Sequence, residues 1–267
     1  MNANVADFLH ATTATVGREC LSHRVNRFLY GHLALLATAG VAAVLVAPED
    51  EERGVAWFLL YAVMYAISLS AVLLGLSSAQ AEREEAAFLH TQPSGIRPWV
   101  IGKAVGLAAL VMPSALLLVV PWWVAGGWSS TLLGLAAGAA GVCLVLAWLG
   151  LAVGLWIREP VRGLITAVAC WFALLFATDL LLLLVAGSPW VQAHPAVWVA
   201  TLMANPLDAF RVSVLFSVER AVFNTLGAGT LVTWWTQHPV LWLASCLFAW
   251  AAGMLALALR AARAPFD

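Results

Sequence analysis

Six stretches of about twenty apolar residues, almost free of charge, decide which solvent this chain folds in. They run from Phe28 to Val46, Val55 to Leu76, Trp99 to Val124, Leu132 to Ile157, Gly163 to Val185 and Val240 to Leu259. A hydrocarbon layer about 30 Å thick offers the backbone no partner, so each stretch is expected to cross it as a helix. Composition agrees. Of 267 residues, 63% are hydrophobic and 10% charged, against about 25% charged in a soluble domain. A water-soluble globule is excluded, and six spans consume about 120 residues, leaving no room for a large soluble enzyme domain. The expectation is one all-α integral membrane domain over residues 1–267.

Thirteen Lys and Arg against fourteen Asp and Glu give a net charge of -1, so no basic surface exists for nucleic acid. Cys20, Cys143, Cys170 and Cys246 stand apart, three of them inside apolar runs, as small buried hydrophobes do. Asp7, Arg18, Glu19, Arg24 and Arg27 precede the first span, and no A-x-A-like site follows a short apolar core. That span is therefore expected to stay as a helix rather than be cleaved.

Orientation follows from the cations. With the N-terminus inside, Arg18, Arg24, Arg27, Arg83, Arg97, Lys103, Arg158, Arg162, Arg260 and Arg263 fall on the cytoplasmic side, ten of thirteen. Both termini are then cytoplasmic, and the acidic run Glu49, Asp50, Glu51, Glu52 lies outside. Trp57, Trp122, Trp123, Trp128, Trp190, Trp198, Trp234, Trp235 and Trp242 gather near the outer interface, where an aromatic belt anchors a membrane protein.

Three segments are expected not to span. Residues 5–27 mix Val5, Phe8, Leu9, Val16 and Leu21 with charges, which suits an elbow helix lying in the cytoplasmic interface. Residues 77–98 carry Glu82, Arg83, Glu84 and Glu85, then Phe88 and Leu89, before Pro93 and Gly95 end the pattern. This reads as a short cytoplasmic helix whose apolar tip either docks on a partner or packs back on the bundle. Residues 186–239 are too apolar for a free outer loop. There Asn205 can cap a helix, Pro206 suits its first position and Asp208 faces the positive end of its dipole. A helix from Pro206 to about Val218 is expected, with Asp208 and Arg211 on one face; the segment lies on the outer leaflet or dips into it.

Asp179 is the one acid deep in a span, about 24 Å along its helix from Gly163. Two roles are open: Arg211 or backbone amides of the outer segment satisfy it and lock that segment to the bundle, or it carries a proton or ion. Lys103, near the inner end of the third span, is expected to snorkel to the interface. Gly134 with Gly138, and Gly150 with Gly154, allow close helix approach either within the chain or at a dimer seam.

No G-x-S-x-G or H-E-x-x-H motif occurs, His32 alone in a span cannot supply two haem ligands, and Gly102-Lys103 is no phosphate loop. No catalytic or metal site is expected in this chain. An elbow, six spans, a charged helix after the second span and an apolar outer segment before the sixth together resemble the membrane subunit of type 2 ABC transporters. Glu82 to Leu89, Pro93 and Gly102-Lys103 resemble that family's first cytoplasmic loop, although Glu84-Glu85 replaces its usual Gly-Thr. Trp171-Phe172, Asp179-Leu180, Asn205-Pro206 with Asp208 and Arg211, Leu226-Gly227-Ala228, and Leu241-Trp242-Leu243 with Trp250 resemble the branch that matures nitrous oxide reductase.

The resemblance implies a multi-pass protein of the bacterial inner membrane that pairs with a second copy of itself and with two ATPase subunits holding ATP and Mg. It also implies a periplasmic accessory protein and a part in copper-site assembly, through a sulfur or copper species or through mechanical coupling. Met64, Met112, Met203 and Met254 are scattered, and no Cys or His cluster lies in the spans. In the coupling role the resemblance sets Glu82, Arg83, Glu84, Glu85, Phe88 and Leu89; in the outer gate, Asn205, Pro206, Asp208 and Arg211. The competing reading is a structural membrane anchor that moves nothing.

Overall fold

The computed structural model describes residues 3–47, 52–81, 96–157, 159–185, 187–218, 234–235 and 237–263. Helix α1 covers Ala3–Ser22. Six helices are long and apolar enough to cross a membrane: α2 (Arg27–Val46), α3 (Glu52–Ala81), α4 (Arg97–Ala125), α5 (Ser130–Trp156), α6 (Pro160–Val185) and, last in the chain, α10 (Pro239–Ala261). Between α6 and α10 lie α7 (Pro189–Ala193), α8 (Pro195–Ala204) and α9 (Pro206–Val218). No strand occurs among the described residues.

Local chemistry sets the ends. Asn26 Oδ1 accepts from the Phe28 amide at 2.9 Å and Ser129 Oγ from the Leu132 amide at 3.0 Å, capping α2 and α5. Proline opens α6 and α10, where its missing N–H costs nothing. Within α4, Pro113 is followed by a tightened 3₁₀ turn at Ala115–Leu118. Both α3 and α6 contain a π-turn, at Val63–Ile67 and Ala173–Ala177.

The centre is α5, with 67% of its apolar window buried, and α3, with 61%; α6 and α10 have only 11% and 17% and form the periphery. Glycine explains the centre. A Cβ on Gly75 would overlap the Ala147 carbonyl, and one on Gly150 the Val72 carbonyl, so α3 and α5 meet backbone to backbone. Gly154 likewise faces Ala79 and Gly138 faces the Phe210 ring, whereas Gly134 has nothing within 4 Å. Three of the four spaced glycines therefore serve contacts inside the chain. Around them Leu59, Ile67, Leu74, Leu132, Leu146 and Leu151 are wholly buried.

The elbow does not lie free. A Cβ on Gly102 would come within 2.5 Å of the Thr15 side chain, and one on Gly106 within 2.9 Å of Glu19 Cβ, so α1 is laid along the start of α4.

The outer segment dips inward. Trp250 Nε1 donates to the Ala204 carbonyl at 2.8 Å, and Asn205 Nδ2 to the Leu174 carbonyl at 2.6 Å. Trp250 is eleven residues into α10 and Leu174 eleven residues from the end of α6, so the α8–α9 corner sits about 16 Å below that end of the bundle. Residues 187–218 thus hold three helices, α7 to α9, and the α8–α9 hairpin is tied to both α6 and α10, where the sequence pattern marked only the helix from Pro206.

Candidate functional site

Broken backbone at this depth survives only where every polar group finds a partner in the protein. At the α8–α9 corner Asn205 supplies most of them. Its Oδ1 accepts from the Leu207 amide at 3.1 Å, capping α9, while its Nδ2 lies within 3.0 Å of three acceptors: Leu174 O in the π-turn of α6, Thr178 Oγ1 and Asp208 Oδ2. The carbonyls that end α8 take indole donors, Met203 from Trp242 Nε1 at 3.0 Å and Ala204 from Trp250. Trp242, expected as an interface anchor, spends its N–H on this corner. Two more tryptophans cross between helices in the same way, Trp148 to the Ala104 carbonyl and Trp171 to Ser68 Oγ; an unpaired indole N–H in hydrocarbon would be costly, so each joins two spans.

One turn along α9, Arg211 grips Asp179 with both Nη atoms at 2.8 Å. The same guanidinium lies 2.9 Å from Asp208 Oδ1, an ion pair outside hydrogen-bonding geometry. The first of the two roles open to Asp179 is therefore what the geometry carries: the acid ties the hairpin to α6. Asp208 is itself buried. Burial pushes its carboxyl up, the Asp179 carboxylate adds to this, and Arg211, Thr178 and Asn205 pull the other way; the balance stands at about 6.

This cluster is open on one side. The Asp179 side chain is 45% exposed and that of Arg211 27%. Beside it runs an aromatic ladder, Trp57 on Tyr61 (5.9 Å between ring centroids), Tyr61 on Tyr65 (6.2 Å), then Tyr65 against Phe176 (6.3 Å). Both tyrosines are about half exposed. Two phenols and an ion pair on one outward face of spanning helices are a poor match for lipid chains.

At the other end, Lys103 does not snorkel. It is 1% exposed, and its Nζ donates to Glu19 Oε2 of α1 at 2.6 Å, 5.4 Å above the Trp99 ring. The helix α1 covers the exit that a four-carbon stem would have used. Glu19 Oε1 takes His23 Nε2 at 2.9 Å and the Ser78 hydroxyl of α3, and Asn26 Nδ2 extends the network to His23 Nδ1 and Ser77 Oγ. Burial alone would raise the Glu19 carboxyl, but His23, Lys103 and Ser78 together bring it down to about 2. One carboxylate thus joins α1 to the end of α3 and the start of α4, the two helices that carry the loop 82–95.

Glu19, His23 and Ser78 were missed in the sequence reading, as were Tyr61 and Tyr65. The available signal was Lys103 set between Gly102 and Gly106, which announces a helix laid close over it, and Glu19 four residues from His23 on one face. Glu82, Arg83, Glu84, Glu85, Phe88 and Leu89, for which a coupling role is expected from the resemblance, lie outside the described residues, as do Leu226, Gly227 and Ala228. Among the described residues no three His, Cys, Asp or Glu side chains are grouped to hold a metal ion. No family model matches the chain, and no curated protein matches it.

Proposed function

We propose that this chain is the membrane subunit of an ABC-type exporter, working as a pair of identical copies driven by separate ATPase subunits that hold ATP and Mg. Both termini lie on the cytoplasmic side of a bacterial inner membrane. The α8–α9 hairpin is the outer gate, and a periplasmic accessory protein docks over it in copper-site maturation of nitrous oxide reductase.

The observation that carries this reading is the open polar face on α3, α6 and α9. An anchor needs only lipid-compatible surfaces, whereas Asp179, Arg211, Tyr61 and Tyr65 demand water or protein across from them. A second copy facing the first would enclose that strip as a wet passage. The Glu19 junction supports the other half of the machine, because a push on the loop 82–95 reaches α1, α3 and α4 together. The chemistry of the cargo, a sulfur or copper species, rests on the resemblance alone.

Replacing Phe88 and Leu89 with Asp tests the reading. Native mass spectrometry of gently extracted wild-type protein should give two copies of this chain with two ATPase-sized subunits, and the double substitution should strip those subunits away. A stable particle without any nucleotide-binding subunit would instead make this chain an anchor.

A further inference from the structure

An apolar groove of about 580 Å³ opens on the periphery where α5, α6 and α10 meet. Val153 and Trp156 of α5, Thr166 and Cys170 of α6, and Met254 and Leu257 of α10 line it. Along α5 it runs from Trp156 inward to Leu149, about 10 Å of helix and so within one leaflet of a layer about 30 Å thick. Its lining reaches Ile157, at the end of the bundle where α5 stops and α6 starts.

Toward that end each outer wall carries a cation beyond its last lining residue. Arg162 lies one turn before Thr166 on the same stripe of α6, and Arg260 lies three residues after Leu257 on α10. Both are exposed. Glu159 engages Arg162 only through Nε, at 2.7 Å, and a guanidinium has five donors in all. A slot of hydrocarbon lining, shorter than a leaflet and headed by two arginines, matches an acyl chain hanging below an anionic headgroup.

We infer that the groove between α5, α6 and α10 is a binding site for one anionic phospholipid, its acyl chain along Val153, Cys170 and Met254 and its phosphate held by Arg162 and Arg260. The inner end of the groove reaches Leu174 and Trp250, which hold the α8–α9 corner, but Arg162 and Arg260 belong to neither polar cluster, and the site does not depend on whether the chain moves a cargo.

Native mass spectrometry of the purified full chain, titrated with phosphatidylglycerol or with phosphatidylcholine of the same acyl composition, tests it. The wild type should retain one phosphatidylglycerol in preference to phosphatidylcholine. Arg162→Gln with Arg260→Gln, both at exposed positions, should weaken phosphatidylglycerol about 25-fold, about fivefold for each arginine, and leave phosphatidylcholine unchanged. Cys170→Trp, which fills the slot, should remove both lipids. Equal binding of the two lipids by the wild type, or the same phosphatidylglycerol affinity in the arginine variant, would overturn the site. So would a Cys170→Trp chain that keeps its lipid but no longer self-associates, because the groove would then seat a second copy.

Discussion

The two polar clusters hold opposite ends of the bundle by different means. Around Glu19 and Lys103 the charges are 1% exposed and enclosed by α1, α3 and α4; around Asp179 and Arg211 they are a quarter to a half exposed. A closed pair trades desolvation against attraction and tolerates no loss of a partner. An open pair keeps part of its hydration, is worth less to stability and remains reachable. Rigidity is thus concentrated around Glu19, and of these two clusters the one around Asp179 is open to its surroundings.

The sharpest way to break the contrast is to leave one charge alone in the closed cluster. Lys103→Met should cost about 3 kcal/mol, seen as a large drop in thermal unfolding temperature in detergent, because the buried Glu19 carboxylate then keeps only His23 and the Ser78 hydroxyl. Glu19→Gln combined with Lys103→Met should recover most of that loss. Equal damage in the single and double variants would show that the pair is not the unit.

Asp208 should give the next largest signal. Its folded carboxyl stands at about 6, above the usual 3.8, so its neutral form is the one folding favours. Stability is full below about pH 4 and falls by at most about 3 kcal/mol as pH rises through about 6. Unfolding temperatures across pH 4 to 7 should show that slope in the wild type and a flatter line in Asp208→Asn. Asp179, Arg211, Asn205 and Thr178 face the group and stay constant in the comparison. Glu19 acts in the opposite sense and lower down: its contribution is present above 4.5 and lost as pH falls toward about 2.

Asn205→Ala should cost about 2 kcal/mol, since it uncaps α9 and strips the Leu174 carbonyl of its donor. Limited proteolysis should then cut the hairpin before the spans. The mildest change is Asp179→Asn, about 1 kcal/mol. Full function with only a lower unfolding temperature would dispose of a proton-carrying role, whereas loss of function at unchanged stability would restore it.

The spans were legible because twenty apolar residues in sequence admit one solution in a bilayer, and the Asn205-Pro206 start of α9 because capping is local. Asp179 with Arg211 was legible for a different reason: a lone acid in hydrocarbon needs a cation, and Arg211 was the one basic residue inside the expected outer helix, Pro206 to Val218. Glu19 with Lys103 was not legible. The two are 84 residues apart, and a glutamate among mixed residues reads as solvated until a neighbouring helix is laid over it. The bond that Trp242 makes was not legible for a related reason, since the belt rule concerns depth and says nothing of where an indole N–H points. Gly75 has no second glycine four residues away, only Ala71 and Ala79, although it meets α5 more closely than either glycine pair of α5 announced.

The donors that finish the α8–α9 corner come late in the chain. Trp242 and Trp250 lie 39 and 46 residues beyond the carbonyls they satisfy, so while the chain is being synthesised from its N-terminus the corner exists before its partners do. Met203 and Ala204 must wait in a wet setting until α10 is made. The α8–α9 corner therefore completes its hydrogen bonds last, and a nascent chain halted before Trp242 carries both of its helices without the indoles that satisfy their turn.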